Sequence, residues 1–356
     1  MSLRILISLI SVFVTLLFCE LLIRIFYPAP SVIRFLLGEK DSAYELSENP
    51  ILGYHLKANF KSENPDCHHT FDYTNSFGQR DVERALAKDR AKKRILMLGD
   101  SVVAGHGICD LENTISMELE RLLESENTEV LNFGVGGYCT LAEVELLREK
   151  GLQFSPDEVL LIFVNNDYVN SNGTIITQIK SDRPRAVDWI FRQSHIARWS
   201  GLGFDLFGYA KDFDPLARSA LNKEAIGDNN VEEGLLMLKQ LAEENNFKPR
   251  VFLWPYFTDT HILEPKAVEE SPIQDKLWVE NLAQELGIEI HRLSGFFKTD
   301  LEMRISDNLQ KTGKKRRRAP SPRWVYTIGD GIHPSKLGSS VGAEAIANFI
   351  KKCHDC

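Results

Sequence analysis

Ile95-Leu96-Met97-Leu98-Gly99-Asp100-Ser101 is an apolar run that breaks in a Gly-Asp-Ser turn, with Gly105 and Gly107 close behind. Four consecutive apolar residues bounded by polar turns read as a strand buried on both faces, as in a parallel sheet. The pattern recurs at 130–133, 159–164 and 251–254, and in a more polar form, suited to an edge, at 288–293. Helical stripes separate these runs. Ile115, Leu119, Leu122 and Leu123 share one face, with Asn113 or Thr114 as cap, and Leu141, Val144 and Leu147 share another. Leu337, Val341, Ala345 and Phe349 form a third after a Pro334-Ser335 start. Alternating strands and helices with short connections predict an α/β fold around a mainly parallel five-stranded sheet. Ligands of such sheets bind beyond the carboxyl ends of the strands, which is where Ser101 falls.

Outward from this core the chain changes character. Residues 1–27 contain an uncharged stretch from Ile5 to Cys19 that continues as Leu21-Leu22-Ile23 after Glu20. Together these approach the ~20 residues needed to cross a bilayer. No small-x-small cleavage site closes the stretch, so an N-terminal membrane anchor is expected rather than a removed signal. Residues 28–90 have little periodicity and turn signals at Glu48-Asn49-Pro50 and Asn75-Ser76-Phe77-Gly78, which predict an irregular extension packed on the main domain, 91–352. Within that domain the connection at about 168–248 is too long for a bare loop and predicts a helical insertion. Its Trp189, Phe191, Trp199, Phe204, Phe207 and Tyr209 either line a pocket or pack the insertion to the core.

The net charge of −8 argues against a nucleic-acid partner. The basic run 314–318 reads as a solvated loop. Cys109 and Cys139 each lie close to a candidate site segment, and in an exported chain they are candidates for pairing with each other; two separate thiols are the alternative. Cys67-His68-His69 and Cys353-His354-Asp355-Cys356 lack the spacing of a zinc module, and neither a metal nor a cofactor is expected.

Four segments carry polar groups suited to one site. Ser101 is a nucleophile at a strand-to-helix turn. In Asn132-Phe133-Gly134-Val135-Gly136-Gly137-Tyr138 the glycines let a backbone N–H approach a ligand closely. Val164-Asn165-Asn166-Asp167 ends a buried strand with two amides and a carboxylate, which either satisfy the strand end or supply an oxyanion donor. Asp330-Gly331-Ile332-His333-Pro334 places an acid three residues before a histidine, the arrangement of a base and its orienting group. Taken singly, the first two are better explained by a helix cap and a βα turn.

Taken together, in this order and spacing over about 94–352, they resemble the blocks of the SGNH hydrolases, also called GDSL esterases and lipases. The resemblance implies a three-layer α/β/α sandwich, with Ser101 as nucleophile, His333 as base and Asp330 as its orienting acid. It also implies an oxyanion hole from the backbone N–H groups of Ser101 and Gly137 and the side-chain amide of Asn166. The position two before Asn166, often glycine in that pattern, is Val164 here. Asn49-Pro50-Ile51-Leu52-Gly53-Tyr54 and Asn75-Ser76-Phe77-Gly78-Gln79-Arg80 resemble the lead-in of anchored bacterial members. The expected activity is hydrolysis of O-acyl esters, acetyl or short acyl, of a glycan or lipid outside the cytoplasm. The alternatives are an O-acyltransferase with the same triad and a silent binding protein of the same fold.

Overall fold

The computed structural model describes residues 3–27, 43–62, 72–168, 184–209, 223–258, 268–269, 276–312 and 321–352. The chain divides into two compact units, residues 1–40 with 173–221 and residues 41–172 with 222–356. It begins with helix α1 (Leu3–Phe26) and a short hairpin, β1 (Tyr44–Leu46) and β2 (Tyr54–Leu56). Then follow β3 (Lys93–Gly99), α2 (Ser101–Ala104), α3 (Ile115–Leu122), β4 (Thr128–Gly134), α4 (Thr140–Glu149) and β5 (Glu158–Phe163). The insertion contributes α5 (Arg185–Gln193), α6 (His195–Gly203) and α7 (Asn230–Asn245). Next come β6 (Lys248–Leu253), the short pair β7 (Tyr256–Phe257) and β8 (Val268–Glu269), α8 (Lys276–Glu285) and β9 (Glu289–Arg292). The described chain ends with α9 (Ser294–Thr312), α10 (Pro322–Tyr326) and α11 (Lys336–Lys352).

In the larger unit five strands form one sheet in the order β4-β3-β5-β6-β9, every neighbouring pair parallel. The four apolar runs lie in the interior of the sheet or on its β4 side, and the more polar one, β9, is an edge. Successive side chains of a strand point to opposite faces. Ile95, Met97, Val130, Leu160, Ile162 and Phe252 therefore share one face, where they pack with Ile115 and Leu119 of α3 and Val341 and Ile346 of α11. Leu96, Leu98, Leu161 and Leu253 are buried on the other, the side of α4 and α7. The result is a three-layer α/β/α sandwich. Because all five strands run the same way, their carboxyl ends lie along one edge of the sheet, and every loop with a candidate site residue except the last leaves from it.

The expected turns of the extension form. The Asn49 side chain accepts the Ile51 N–H at 3.0 Å, and the Asn75 side chain accepts those of Phe77 and Gln79 at 3.0 and 2.9 Å. Thr114 does precede α3, but its hydroxyl donates to the Leu111 carbonyl at 2.7 Å instead of capping the helix.

Candidate active site

The first group is set by the way β3 ends. A Cβ on Gly99 would lie 2.4 Å from Val103 Cγ2, so only glycine lets the strand turn at once into α2. Asp100 caps that helix, its Oδ1 accepting the Val102 N–H at 2.8 Å. Its Oδ2 accepts from the Asn166 side-chain amide at 2.7 Å and lies 3.1 Å from the Ser101 hydroxyl oxygen. Asp100 is fully buried, and the Val102 N–H and the Asn166 amide are donors that make a carboxylate tolerable there.

The second group comes from the loop between α10 and α11. Ile328 N–H donates to the His333 carbonyl at 3.0 Å, Phe257 N–H to Gly331 at 2.9 Å, and the Trp254 indole to Ile332 at 2.9 Å. Gly331 has φ +90°, and a Cβ there would lie 2.7 Å from the Phe257 carbonyl oxygen, so the turn needs glycine. Held in this way, Asp330 presents Oδ2 to Nδ1 of His333 at 2.5 Å, while its Oδ1 accepts the N–H groups of Ile332 and His333, both at 3.0 Å. Nε2 of His333 lies 2.7 Å from the Ser101 hydroxyl oxygen.

Burial works to raise the Asp330 pKa, but the hydrogen bond and charge of His333 and the two backbone N–H groups outweigh it and hold the carboxyl below its ordinary value. An ionised carboxylate only accepts, so Nδ1 carries the ring proton and Nε2 is the free acceptor facing the serine. The ring of His106, in the loop after α2, packs on that of His333 with centroids 4.5 Å apart at 50°.

Asn132, in the second block, ties β4 to α2. Its amide donates to the Val103 carbonyl at 2.9 Å and to Ser116 Oγ at 3.1 Å, and its side-chain oxygen accepts the Gly134 N–H at 2.9 Å. A Cβ on Gly134 would lie 2.1 Å from the Ala104 nitrogen, so α2 and this loop are in backbone contact. A Cβ on Gly136 would lie 2.8 Å from the Tyr44 hydroxyl and 3.7 Å from Ser101 Cβ, which places the loop beside Ser101. Gly137 follows with φ +82°.

The loop is gripped from the extension. The Tyr54 hydroxyl donates to the Gly136 carbonyl at 2.7 Å, and the Tyr138 hydroxyl donates back to the Tyr54 carbonyl. Burial pushes both phenols well above their ordinary pKa, so they remain neutral donors.

In the third block, Asn165–Tyr168 forms one tight turn closed by Asp167, whose Oδ2 accepts the Val164 N–H at 2.9 Å. Val164 is buried in the core, so its side chain packs where the related pattern often has glycine. Asn166 uses one amide hydrogen on Asp100, which fixes the plane of the group beside Ser101. Behind this turn lies Glu143 of α4, fully enclosed. Burial first, then Asp167 and Asp100, raise its pKa far above the carboxylate range.

The structure thus joins Ser101, His333 and Asp330 in one relay and brings Asn166 and the Gly136-Gly137 loop beside it. It also adds three groups not expected from the sequence. Asp100 lies between Ser101 and the Asn166 amide, His106 packs on His333, and Tyr54 grips the glycine loop. The cysteine pairing expected above is corrected: Cys139 is a free thiol, buried beside the site, and Cys109 is in a disulfide. Burial pushes the Cys139 thiol up to about 11. The residues of the two cysteine-histidine motifs, and the basic run 314–318, lie outside the described residues. Of the insertion's aromatics, Phe191 and Tyr209 are buried against each other, whereas Trp189, Trp199, Phe204 and Phe207 are exposed.

No family model and no curated protein matches the chain. Solved structures similar to it include an acetyl xylan esterase, AlAXEase, at 13% identity over 72% of this chain and 99% of that one, with a TM-score of 0.37. Another is the psychrotrophic esterase EstA from Pseudoalteromonas sp., at 15% identity over 74% and 100%, with a TM-score of 0.38. A two-domain esterase active on acetylated mannans is similar at 14% identity over 73% of this chain and 49% of that one, with a TM-score of 0.39.

Proposed function

We propose that this chain is a membrane-anchored serine esterase that removes O-acyl groups, acetyl or short acyl, from a glycan or lipid outside the cytoplasm. The observation that carries the reading is the continuous relay from Ser101 Oγ to His333 Nε2 at 2.7 Å and from His333 Nδ1 to Asp330 at 2.5 Å.

Ser101 Oγ attacks the ester carbonyl and passes its proton to Nε2, and the carbonyl oxygen becomes an oxyanion. The backbone N–H groups of Ser101 and Gly137 and the second amide hydrogen of Asn166 stabilise that charge. Collapse breaks the ester C–O bond, the leaving alkoxide takes the proton from Nε2, and the acyl group stays on Ser101. Water then repeats the sequence, giving up its proton to Nε2 and releasing the carboxylic acid as Ser101 is reprotonated. Asp330 holds the ring in the required tautomer and stabilises the imidazolium, with no net proton transfer to itself.

Two features support this location. α1 is long and apolar enough to cross a membrane, with a mean hydropathy of 2.6 over its most apolar window. The Cys109 disulfide fits an oxidising compartment.

A chromogenic acetyl ester is the direct assay. The full chain should turn it over, Ser101→Ala should not, and equal turnover by the two proteins would remove the enzyme reading. Adding an acetylatable glycan distinguishes hydrolysis from transfer. Release of acetate at an unchanged rate supports the esterase, and acetylated glycan as the main product supports the transferase.

A further inference from the structure

The smaller unit carries an apolar surface that the esterase chemistry does not use. α5 and α6 form a hairpin whose own core is small. The Phe191 and Tyr209 rings stack at 3.6 Å and 5°, and a Cβ on Gly201 would lie 2.6 Å from the Phe191 ring. Outside that core, Trp189, Ile190, Trp199, Phe204, Leu206 and Phe207 are exposed, Phe204 to 78%. Six exposed large apolar side chains on so short a segment indicate an interaction surface.

The hairpin is fastened to the last two turns of α1. Glu20 accepts the His195 and Ile196 N–H groups at 2.8 and 3.0 Å and the Ser194 hydroxyl at 2.9 Å, so a carboxylate of α1 caps the start of α6. Arg24 pairs with Glu20 and donates to the Gln193 carbonyl, and the Trp199 indole donates to the Tyr27 carbonyl at 3.0 Å. These contacts set the depth of the hairpin along α1. Glu20 lies six residues from the helix end, about 9 Å at 1.5 Å per residue, and the uncharged stretch ends just before it. An acid at that depth is costly unless donors surround it, and the hairpin supplies three.

We propose that 184–209 is an interfacial collar, lying in the headgroup–acyl boundary of the bilayer that α1 crosses, with the six exposed side chains facing lipid. This rests on the reading of α1 as a membrane anchor. The chemistry fits. Amphipathic helices bury their apolar face about 5–10 Å into that boundary. Tryptophan suits the same layer because its ring is apolar and its N–H remains bonded, as in Trp199. A bilayer fits this surface, since the hairpin is bonded to a helix long enough to span one and is held at the level where its apolar stretch ends.

The test uses the full chain in phosphatidylcholine–phosphatidylglycerol vesicles whose acyl chains carry bromine near the headgroup. Bromolipid should quench part of the tryptophan emission of the wild-type protein, and W189F/W199F should lose that quenching while keeping wild-type turnover of the chromogenic ester. Placing a new indole by Phe204→Trp in the W189F/W199F background should restore it. If the protein resists carbonate extraction yet quenching is the same in wild type and W189F/W199F, the collar is wrong and the anchor stands. If carbonate releases the wild-type protein, the anchor reading falls and the collar with it.

Discussion

At the scale of the residue, two carboxyl groups near the site are shifted in opposite directions, and their signs are testable. Asp330 is held below its ordinary value, so its contribution to stability is complete above about 3.8 and is lost as pH falls through the lower folded value. The stability difference between wild type and Asp330→Asn should therefore shrink as pH falls below about 3.8 in urea titrations. Glu143 is the reverse case. The folded chain keeps a proton that the unfolded chain releases above about 4.5, so stability falls as pH rises from there. Glu143→Gln removes this titration. Wild type should therefore lose stability relative to the variant over the pH range above about 4.5. A constant difference across that range would mean that Glu143 is ionised when folded. His333→Ala should cost more than about 10³-fold in kcat, and Asp330→Ala less, because the base can still act without its orienting group.

At the scale of the element, the site depends on parts of the chain far from its motifs. A peptide unit is planar and trans, so its C=O and N–H point in opposite directions. The bond from Tyr54 to the Gly136 carbonyl therefore orients the N–H of Gly137, the expected oxyanion donor. Tyr54→Phe should leave KM near wild type and lower kcat by about tenfold, a fraction of the 10²–10³ lost when a donor is removed outright. A fall in melting temperature with kcat unchanged would reduce Tyr54 to a purely structural role. The extension makes a second hold through Arg80, which is fully buried and donates to the carbonyls of Ala104, Gly105 and Ile108 at and after the end of α2. Gly134→Ala tests the contact on the other side. Its Cβ would strike the Ala104 backbone, so α2 has to move, and both stability and kcat should fall. None of these roles is visible in the primary structure. Ser101, Asn166, Asp330 and His333 are legible because each stands in a short segment with its own chemistry. Tyr54 acts on a loop 82 residues away, and only tertiary contact reveals it.

At the scale of the whole molecule, the α/β architecture is readable because a strand buried on both faces leaves a run of apolar residues, and four such runs occur. The edge strand β9 is weaker in sequence because its residues are only partly buried, whereas the other edge, β4, is almost wholly buried. The insertion is harder to read. Its aromatics look like pocket or core residues when only composition is visible. In the structure only Phe191 and Tyr209 are buried, and the others project outward from a hairpin fastened to α1. The cysteines show the same limit, since nearness of Cys109 and Cys139 to the site segments does not predict which of them is bonded. The measurement that tests the esterase reading most directly is intact-protein and peptide mass spectrometry after treatment with a fluorophosphonate. One adduct on the peptide containing Ser101, absent in Ser101→Ala and strongly slowed in His333→Ala, is the predicted result. Labelling elsewhere, or labelling at Ser101 that proceeds equally fast without His333, would contradict it.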